Sequence, residues 1–230
     1  AARLRMIRIE PAGAEALLLV LAEQPDSQLP LRIQALSERL RQQLGAALID
    51  LVPAWTSLLL HYDIQRISYT RLLQLVEPLL ENWLEETCPA CPPQLHELPV
   101  WYAGEDLHAV AQACGLSVGE VIDLHSAIDY QVGAIGFAPG FAYLGELDPR
   151  LALARRSTPR VRVPAGSLAI AERQTAIYPQ ASPGGWHLLG LCPLRLFDLQ
   201  ATPVCRLVIG DRVRFVPIDQ AAYLALVGPA

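Results

Sequence analysis

The chain has 230 residues, 52% of them hydrophobic and 18% charged, with a net charge of −5. That composition can bury a core, which excludes wholesale disorder, and the acidic balance argues against a general nucleic-acid binder. Every basic residue is arginine, so the chain cannot form a complete Walker A loop, a lysine Schiff base, a biotinyl-lysine or a Ser-Lys catalytic pair.

The longest apolar run, 16–22, falls far short of the ~18 to 20 residues a membrane helix needs, so no membrane partner is expected. The basic start Ala1-Ala2-Arg3-Leu4-Arg5 is soon interrupted by Glu10 and Glu15, which does not fit a secretory signal, and a cytoplasmic location is expected. Five cysteines (Cys88, Cys91, Cys114, Cys192, Cys205) are an odd number and argue against a disulfide framework.

In chain order, 6–10 and 16–21 read as strands across a turn at Pro11-Ala12-Gly13. Ile33, Leu36, Leu40 and Leu44 recur at helical spacing up to Gly45, a C-cap candidate. Residues 46–52 and 55–61 read as a second strand pair. Leu72, Leu73, Val76, Leu80, Trp83 and Leu84 line a second helix, in which Pro78 should cause a kink or a late start. The order ββαββα predicts a small α+β domain over 1–86, with two helices on one face of an antiparallel sheet.

Residues 87–99 carry Pro89, Pro92, Pro93 and Pro99 and read as a linker to a second domain over 100–230. There, 100–102 reads as a strand, and Leu107, Val110, Ala111 and Cys114 form one helix face. Ser117 with Glu120 is a capping box for a further short helix. Strands are expected at 132–137, 167–171, 175–178, 186–191, 204–209 and 212–217. Only Gly13 and Gly45 precede residue 100, and the glycine-rich punctuation after it predicts a β-barrel.

Several chemistry-bearing motifs carry little. Cys88-Pro89-Ala90-Cys91 with His96 is half a zinc site with no second half, so no metal is expected. His61, His108, His125 and His187 follow no metal or catalytic spacing; His125 reads as a buried or capping histidine. Ser167, after Gly166, is no nucleophile elbow.

The strip 149–171 holds Arg150, Arg155, Arg156, Arg160 and Arg162 and no acid. Arg160 and Arg162 alternate with Val161 and Val163, so both can project from one face of an extended segment toward a carboxylate or phosphate. Two loops flank the strip. One runs Gly136-Phe137-Ala138-Pro139-Gly140-Phe141-Ala142-Tyr143-Leu144-Gly145. The other is Tyr178-Pro179-Gln180-Ala181-Ser182-Pro183-Gly184-Gly185-Trp186. Glycines let backbone N–H groups approach an anion while aromatics wall it from water.

These loops, with Leu147-Asp148-Pro149-Arg150-Leu151, Pro159-Arg160-Val161-Arg162-Val163-Pro164-Ala165-Gly166-Ser167, Gln174-Thr175 and Leu196-Phe197-Asp198, resemble the KipI / allophanate-hydrolase-subunit-1 family. Leu58-Leu59-Leu60-His61-Tyr62-Asp63 and Gly210-Asp211-Arg212-Val213-Arg214-Phe215 extend the likeness over nearly the whole chain. The resemblance implies a cyclophilin-like β-barrel as the second domain. It implies a subunit of ATP-dependent 5-oxoprolinase, cleaving 5-oxo-L-proline to L-glutamate in a heteromeric complex. The partners it implies are a KipA-like protein and a LamB/YcsF-type protein. ATP is then used by the complex, and no cofactor is expected on this chain. Alternatives within the resemblance are a KipI-like inhibitor of a sensor histidine kinase and an allophanate hydrolase or urea carboxylase-type subunit.

The expected binding residues are Arg160 and Arg162 for carboxylate or phosphate and Gln174 and Ser182 for the amide. Phe141, Tyr143 and Trp186 form the wall, with the backbone of Gly184 and Gly185 beside them. Catalytic residues are not assigned. Two departures stand out: Glu172-Arg173 where the family usually has Gly-Gly, and Cys192 where Thr is common.

Overall fold

The computed structural model describes residues 7–83 and 93–228. The chain divides between Pro93 and Gln94 into two compact units, each with its own apolar core.

The first unit comprises β1 (Arg8–Pro11), β2 (Ala16–Val20), α1 (Leu29–Leu44), β3 (Leu48–Pro53), β4 (Ser57–Tyr62) and α2 (Tyr69–Trp83). Its antiparallel sheet has the order β1-β2-β4-β3. Leu17 and Leu19 on β2, and Leu58, Leu60 and Tyr62 on β4, alternate with half-buried neighbours, as a sheet covered on one face requires. Ile33, Leu36 and Leu40 of α1 and Leu72, Val76 and Leu80 of α2 complete that core. Asp26 accepts the N–H groups of Gln28 (2.7 Å) and Leu29 (2.9 Å) at the start of α1, and Trp83 Nε1 donates to the Arg32 carbonyl, tying the helices together. The helix expected to kink or start late at Pro78 begins at Tyr69 and runs through the proline. Pro78 and Gln74, whose carbonyl a proline cannot donate to, both sit on the exposed face of the helix.

The second unit opens with β5 (Leu95–Val100), α3 (Leu107–Cys114) and α4 (Val118–Ser126). Then come β6 (Asp129–Ile135), β7 (Ala142–Gly145), β8 (Arg160–Val163), β9 (Ser167–Ala171), β10 (Gln174–Ile177), β11 (Ser182–Gly184), β12 (His187–Leu191), β13 (Arg212–Pro217) and α5 (Gln220–Val227). Seven strands form one sheet in the order β12-β9-β10-β7-β6-β13-β5, and β8 with β11 makes a separate ribbon. Trp101, just after β5, exchanges both backbone hydrogen bonds with Leu191 of β12 at 2.9 Å, so the sheet nearly closes into a barrel. Leu98, Val132, Leu144, Ile170, Ile177, Leu189 and Phe215 fill it. Ser117 caps α4: its Oγ accepts from Glu120 N–H, and Glu120 accepts from Ser117 N–H.

Further elements depart from the sequence reading: β7 and β11 arise within the segments expected as loops. β5 begins at Leu95, inside the segment expected to be linker; Leu98 and Val100 bury, and Pro99 is tolerated because β5 is the sheet's edge. Residues 204–209 are not a strand. They carry only the isolated Phe197–Cys205 bridge, and Leu207 and Ile209 are buried from irregular chain. Helix α5 is absent from the sequence reading because its residues offer no polar face for a helical period to display. Leu84 and the Cys88/Cys91 pair lie outside the described residues. Among those described, no group of three His, Cys, Asp or Glu side chains is placed to hold a metal, and no helix is long and apolar enough to cross a membrane.

Candidate functional site

A tight turn delivers the first wall. Phe141 N–H bonds the Ala138 carbonyl and Gly136 N–H bonds the Phe141 carbonyl, with Phe137 and Gly140 at positive φ (70° and 76°). The turn feeds β7, so buried Phe141 and half-buried Tyr143 cluster at the start of that strand with Tyr178 and Trp186. Ring centroids lie 4.8 Å apart for Phe141–Tyr143, 5.3 Å for Phe141–Tyr178 and 6.0 Å for both Phe141–Trp186 and Tyr143–Trp186. Most of these pairs meet edge to face, the arrangement aromatic quadrupoles favour.

The floor is bare backbone. A methyl group on Gly184 would lie 2.2 Å from the Tyr178 hydroxyl, so only glycine lets β11 lie against the ring. Arg156 N–H donates to the Gly185 carbonyl at 2.8 Å. That bond carries the preceding Arg155 over the Trp186 ring, its guanidinium carbon 6.0 Å from the centroid. Together Phe137, Phe141, Tyr143, Arg155, Tyr178 and Trp186 enclose about 100 Å³ with Pro183, Gly184 and Gly185. Burial pushes the Tyr143 and Tyr178 hydroxyls up, and the Arg155 cation partly offsets the rise at both. The phenols therefore enter neutral, as donors. Ser182 Oγ is buried without a hydrogen-bond partner on the same strand as Gly184.

Of the residues expected from sequence, Phe141, Tyr143, Gly184, Gly185 and Trp186 line this cavity, and Ser182 sits beside it on β11. Arg160 does not open onto it. Its Nη2 donates to Asp106 at 2.8 Å and to Glu105 at 3.1 Å, and its Nη1 reaches the Trp186 carbonyl at 3.5 Å. Asp106, nearly buried, also accepts from Arg156 Nη1 at 2.9 Å and from Leu188 N–H at 2.7 Å. Burial alone would raise Asp106; the Arg160 and Leu188 hydrogen bonds and both arginine charges outweigh it and hold the carboxyl below its ordinary value. Arg160 is thus a clip holding β8 to the loop before α3.

Arg162 is exposed and makes no ion pair among the described residues; Gln174 is half-buried opposite Ala171 and does not line the cavity. Arg155, Tyr178 and Phe137 are legible in the sequence only as members of the arginine strip and the aromatic loops. Asp106 gives no sequence signal beyond an acid ahead of a helix.

His125, the buried histidine of α4, supports the site from behind. Thr175 Oγ1 donates to the Ala169 carbonyl at 3.1 Å, so it accepts from His125 Nε2 at 2.9 Å; His125 Nδ1 then accepts from the Tyr102 hydroxyl at 2.8 Å. Burial drives the imidazole down to about 3, so it is neutral and fixed in this tautomer. The network pins β10, which carries the chain into Tyr178.

Residues 7–207 match the carboxyltransferase domain, subdomain C and D. The chain belongs to that family. It is 37% identical over 230 residues to the B-type subunit of 5-oxoprolinase from Bacillus subtilis (strain 168), covering 95% of each chain. It is 48% identical over 143 residues to the B-type subunit of 5-oxoprolinase from Escherichia coli O157:H7, covering 60% of this chain and 65% of that one. Among solved structures, TTHA0988 is similar with a TM-score of 0.79 and 39% identity over 93% of this chain, which spans only 40% of that one. The urea amidolyase of K. lactis, at 17% identity and a TM-score of 0.72, shares the fold.

Glu172 stands at the edge of this site. It takes φ 55°, the left-handed conformation that glycine adopts freely, in the tight turn between β9 and β10. Its carboxylate lies 3.6 Å from Arg155, the guanidinium of the aromatic cavity. Arg173 pairs with Glu146 next to it. Glu172 thus places an acid on the cavity's own cation.

Proposed function

We propose that this chain acts as the B-type subunit of an ATP-dependent 5-oxoprolinase, in a complex with a KipA-like protein and a LamB/YcsF-type protein, and that it is inactive alone. The observation that carries the reading is the 37% identity to the B-type subunit of a 5-oxoprolinase over 95% of both chains. The reaction converts 5-oxo-L-proline, ATP and two waters to L-glutamate, ADP and phosphate. A lactam carbonyl is a poor electrophile, and phosphorylating its oxygen creates a leaving group, which accounts for the ATP. The barrel is read as cyclophilin-like in shape, without prolyl isomerase activity following from the shape, and the complex as cytoplasmic.

In this reading the aromatic cavity receives the lactam ring. Phe141, Tyr143, Tyr178 and Trp186 exclude water from it, and the neutral phenols donate to its oxygens. Arg155 meets the anionic charge, with the backbone of Gly184 and Gly185 at the floor and the buried Ser182 hydroxyl beside it on β11. Arg162, exposed on β8, is a reserve cation outside the cavity's lining, while Arg160 serves by holding β8 and Trp186 in place. Gln174 acts, if on the amide, from outside the cavity's lining. ATP is handled by the complex, since this chain offers no lysine-bearing phosphate loop. The exposed, charge-free helix α5, with Leu224, Leu226 and Val227 each more than half exposed, supports a chain that works against other proteins of a complex.

The test is reconstitution. Glutamate release from 5-oxoproline should appear only when this chain is mixed with its KipA-like and LamB/YcsF-type partners and ATP. Inhibition of a histidine kinase by the lone chain, with no glutamate from the full mixture, would overturn the reading.

A further inference from the structure

A second and larger cavity lies on the barrel unit and shares no lining residue with the aromatic one. It encloses about 300 Å³ between the start of β5 and the loop that joins β12 to β13, at the lower end of the range for small-molecule sites. Connections this long without regular structure are uncommon in compact domains unless they serve a function or are disordered. This one is ordered. Leu196, Leu207 and Ile209 anchor it in the barrel core. Arg206 N–H bonds the Leu196 carbonyl and Asp198 N–H bonds the Val204 carbonyl, each at 2.9 Å, stapling its two limbs.

The polar lining is Gln94, His96, Arg195, Asp198, Thr202 and Arg206. His96 Nε2 lies 2.9 Å from Asp211 Oδ2, both side chains largely buried. Asp211 also accepts from Gln94 N–H at 3.2 Å and Val208 N–H at 3.0 Å, so its charge is spent within the wall and on orienting the imidazole. Asp198 accepts from Gln200 N–H at 2.9 Å, and its other oxygen is only loosely paired, 3.9 Å from Arg195 Nη1. The Arg206 guanidinium has no ion pair or hydrogen bond among the described residues. The cavity therefore sets two guanidiniums, a hydroxyl, an amide and an anchored imidazole against one partly engaged acid. Such a donor-rich lining matches an acceptor-rich, anionic guest.

We propose that this cavity is a binding site for a small oxyanion, a carboxylate or a phosphoryl group, with Arg206 as its principal charge, Arg195 turning in from Asp198, and His96 held by Asp211 as the orienting contact. The site stands whether or not the 5-oxoprolinase reading does.

Isothermal titration of the whole chain with inorganic phosphate, and separately with L-glutamate, tests it. Saturable one-to-one binding of either is expected, and whichever binds more tightly assigns the phosphoryl or the carboxylate class. Arg206→Gln should weaken that binding by at least about tenfold, the loss of one charge-assisted contact. Arg206 is exposed, so the variant should keep the native melting temperature. The exposed Arg66→Gln, in the first unit, controls for general charge and should leave the binding unchanged. In the unsubstituted chain the His96 ring resonances should shift on titration, and His96→Gln should weaken the binding by a smaller factor. No binding of either anion overturns the proposal. So does binding that survives Arg206→Gln and is lost in Arg155→Gln, which would put the anion in the aromatic cavity.

Discussion

Glu172 concentrates the chemistry of the candidate site in one side chain. It holds a left-handed backbone conformation that costs a non-glycine residue roughly 1–2 kcal/mol, and it lies against the cation that the substrate reading needs. In Glu172→Gly the relieved strain and the greater freedom of the unfolded glycine oppose each other, so stability should move by less than about 1 kcal/mol. The freed Arg155 should lower the KM for 5-oxoproline about two- to threefold in the reconstituted complex, the scale of an exposed ion pair. An unchanged or raised KM would remove Arg155 from the site. Gly184→Ala tests the opposite wall: its Cβ would collide with the Tyr178 hydroxyl, so activity should collapse with a stability loss of about 1–3 kcal/mol. The aromatic walls are readable in the sequence because glycine and aromatics cluster locally in two loops. The role of Arg160 is not, because the acid that captures it stands 54 residues away and has no pattern of its own.

At the scale of elements, strands and helices with a clear period are legible: β2, β4, α1, α3 and α4 each display one in their sequence. What escapes depends on distant partners. β5 gains strand status from parallel pairing with β13, more than a hundred residues later, and Leu207 and Ile209 are apolar because they plug the barrel core, not because they pair. The contact of α4 with β10 makes a prediction of its own. His125 is neutral in the fold down to about pH 3 but accepts a proton near 6.5 when unfolded. As pH falls below 6.5 the unfolded chain binds a proton that the folded chain refuses. Stability should therefore fall by up to about 1.4 kcal/mol per pH unit between 6.5 and 4, before the carboxylates titrate. In His125→Gln, urea unfolding across that window should lose most of the slope. Asp106→Asn tests the β8 clip. Leaving Arg160 and Arg156 short of their counter-charge should cost about 3 kcal/mol at neutral pH, read in the same urea titration.

For the molecule as a whole, the division between Pro93 and Gln94 carries the strongest consequence. The buried clusters of the two units have no member in common, and the chemistry-bearing residues are confined to one of them. Both cavities, the Asp106 clip and the His125 network lie entirely within residues 94–228. A fragment of residues 94–230 should therefore fold by itself, because β5, its first strand, is paired by β13 and its near-closed sheet needs no strand from the first unit. It should unfold in one cooperative step by circular dichroism and keep the near-ultraviolet signal of Trp186 packed among Phe141, Tyr143 and Arg155. Residues 1–93 should fold separately around Leu17, Leu60, Leu40 and Val76. The informative outcome is asymmetric. If the barrel fragment binds the oxyanion as the whole chain does but yields no glutamate with the two partner proteins, the first unit supplies assembly and the second supplies the site. If the fragment is unfolded, the closure between Trp101 and Leu191 is too weak to hold the barrel, and the site's geometry then depends on residues 1–93 after all.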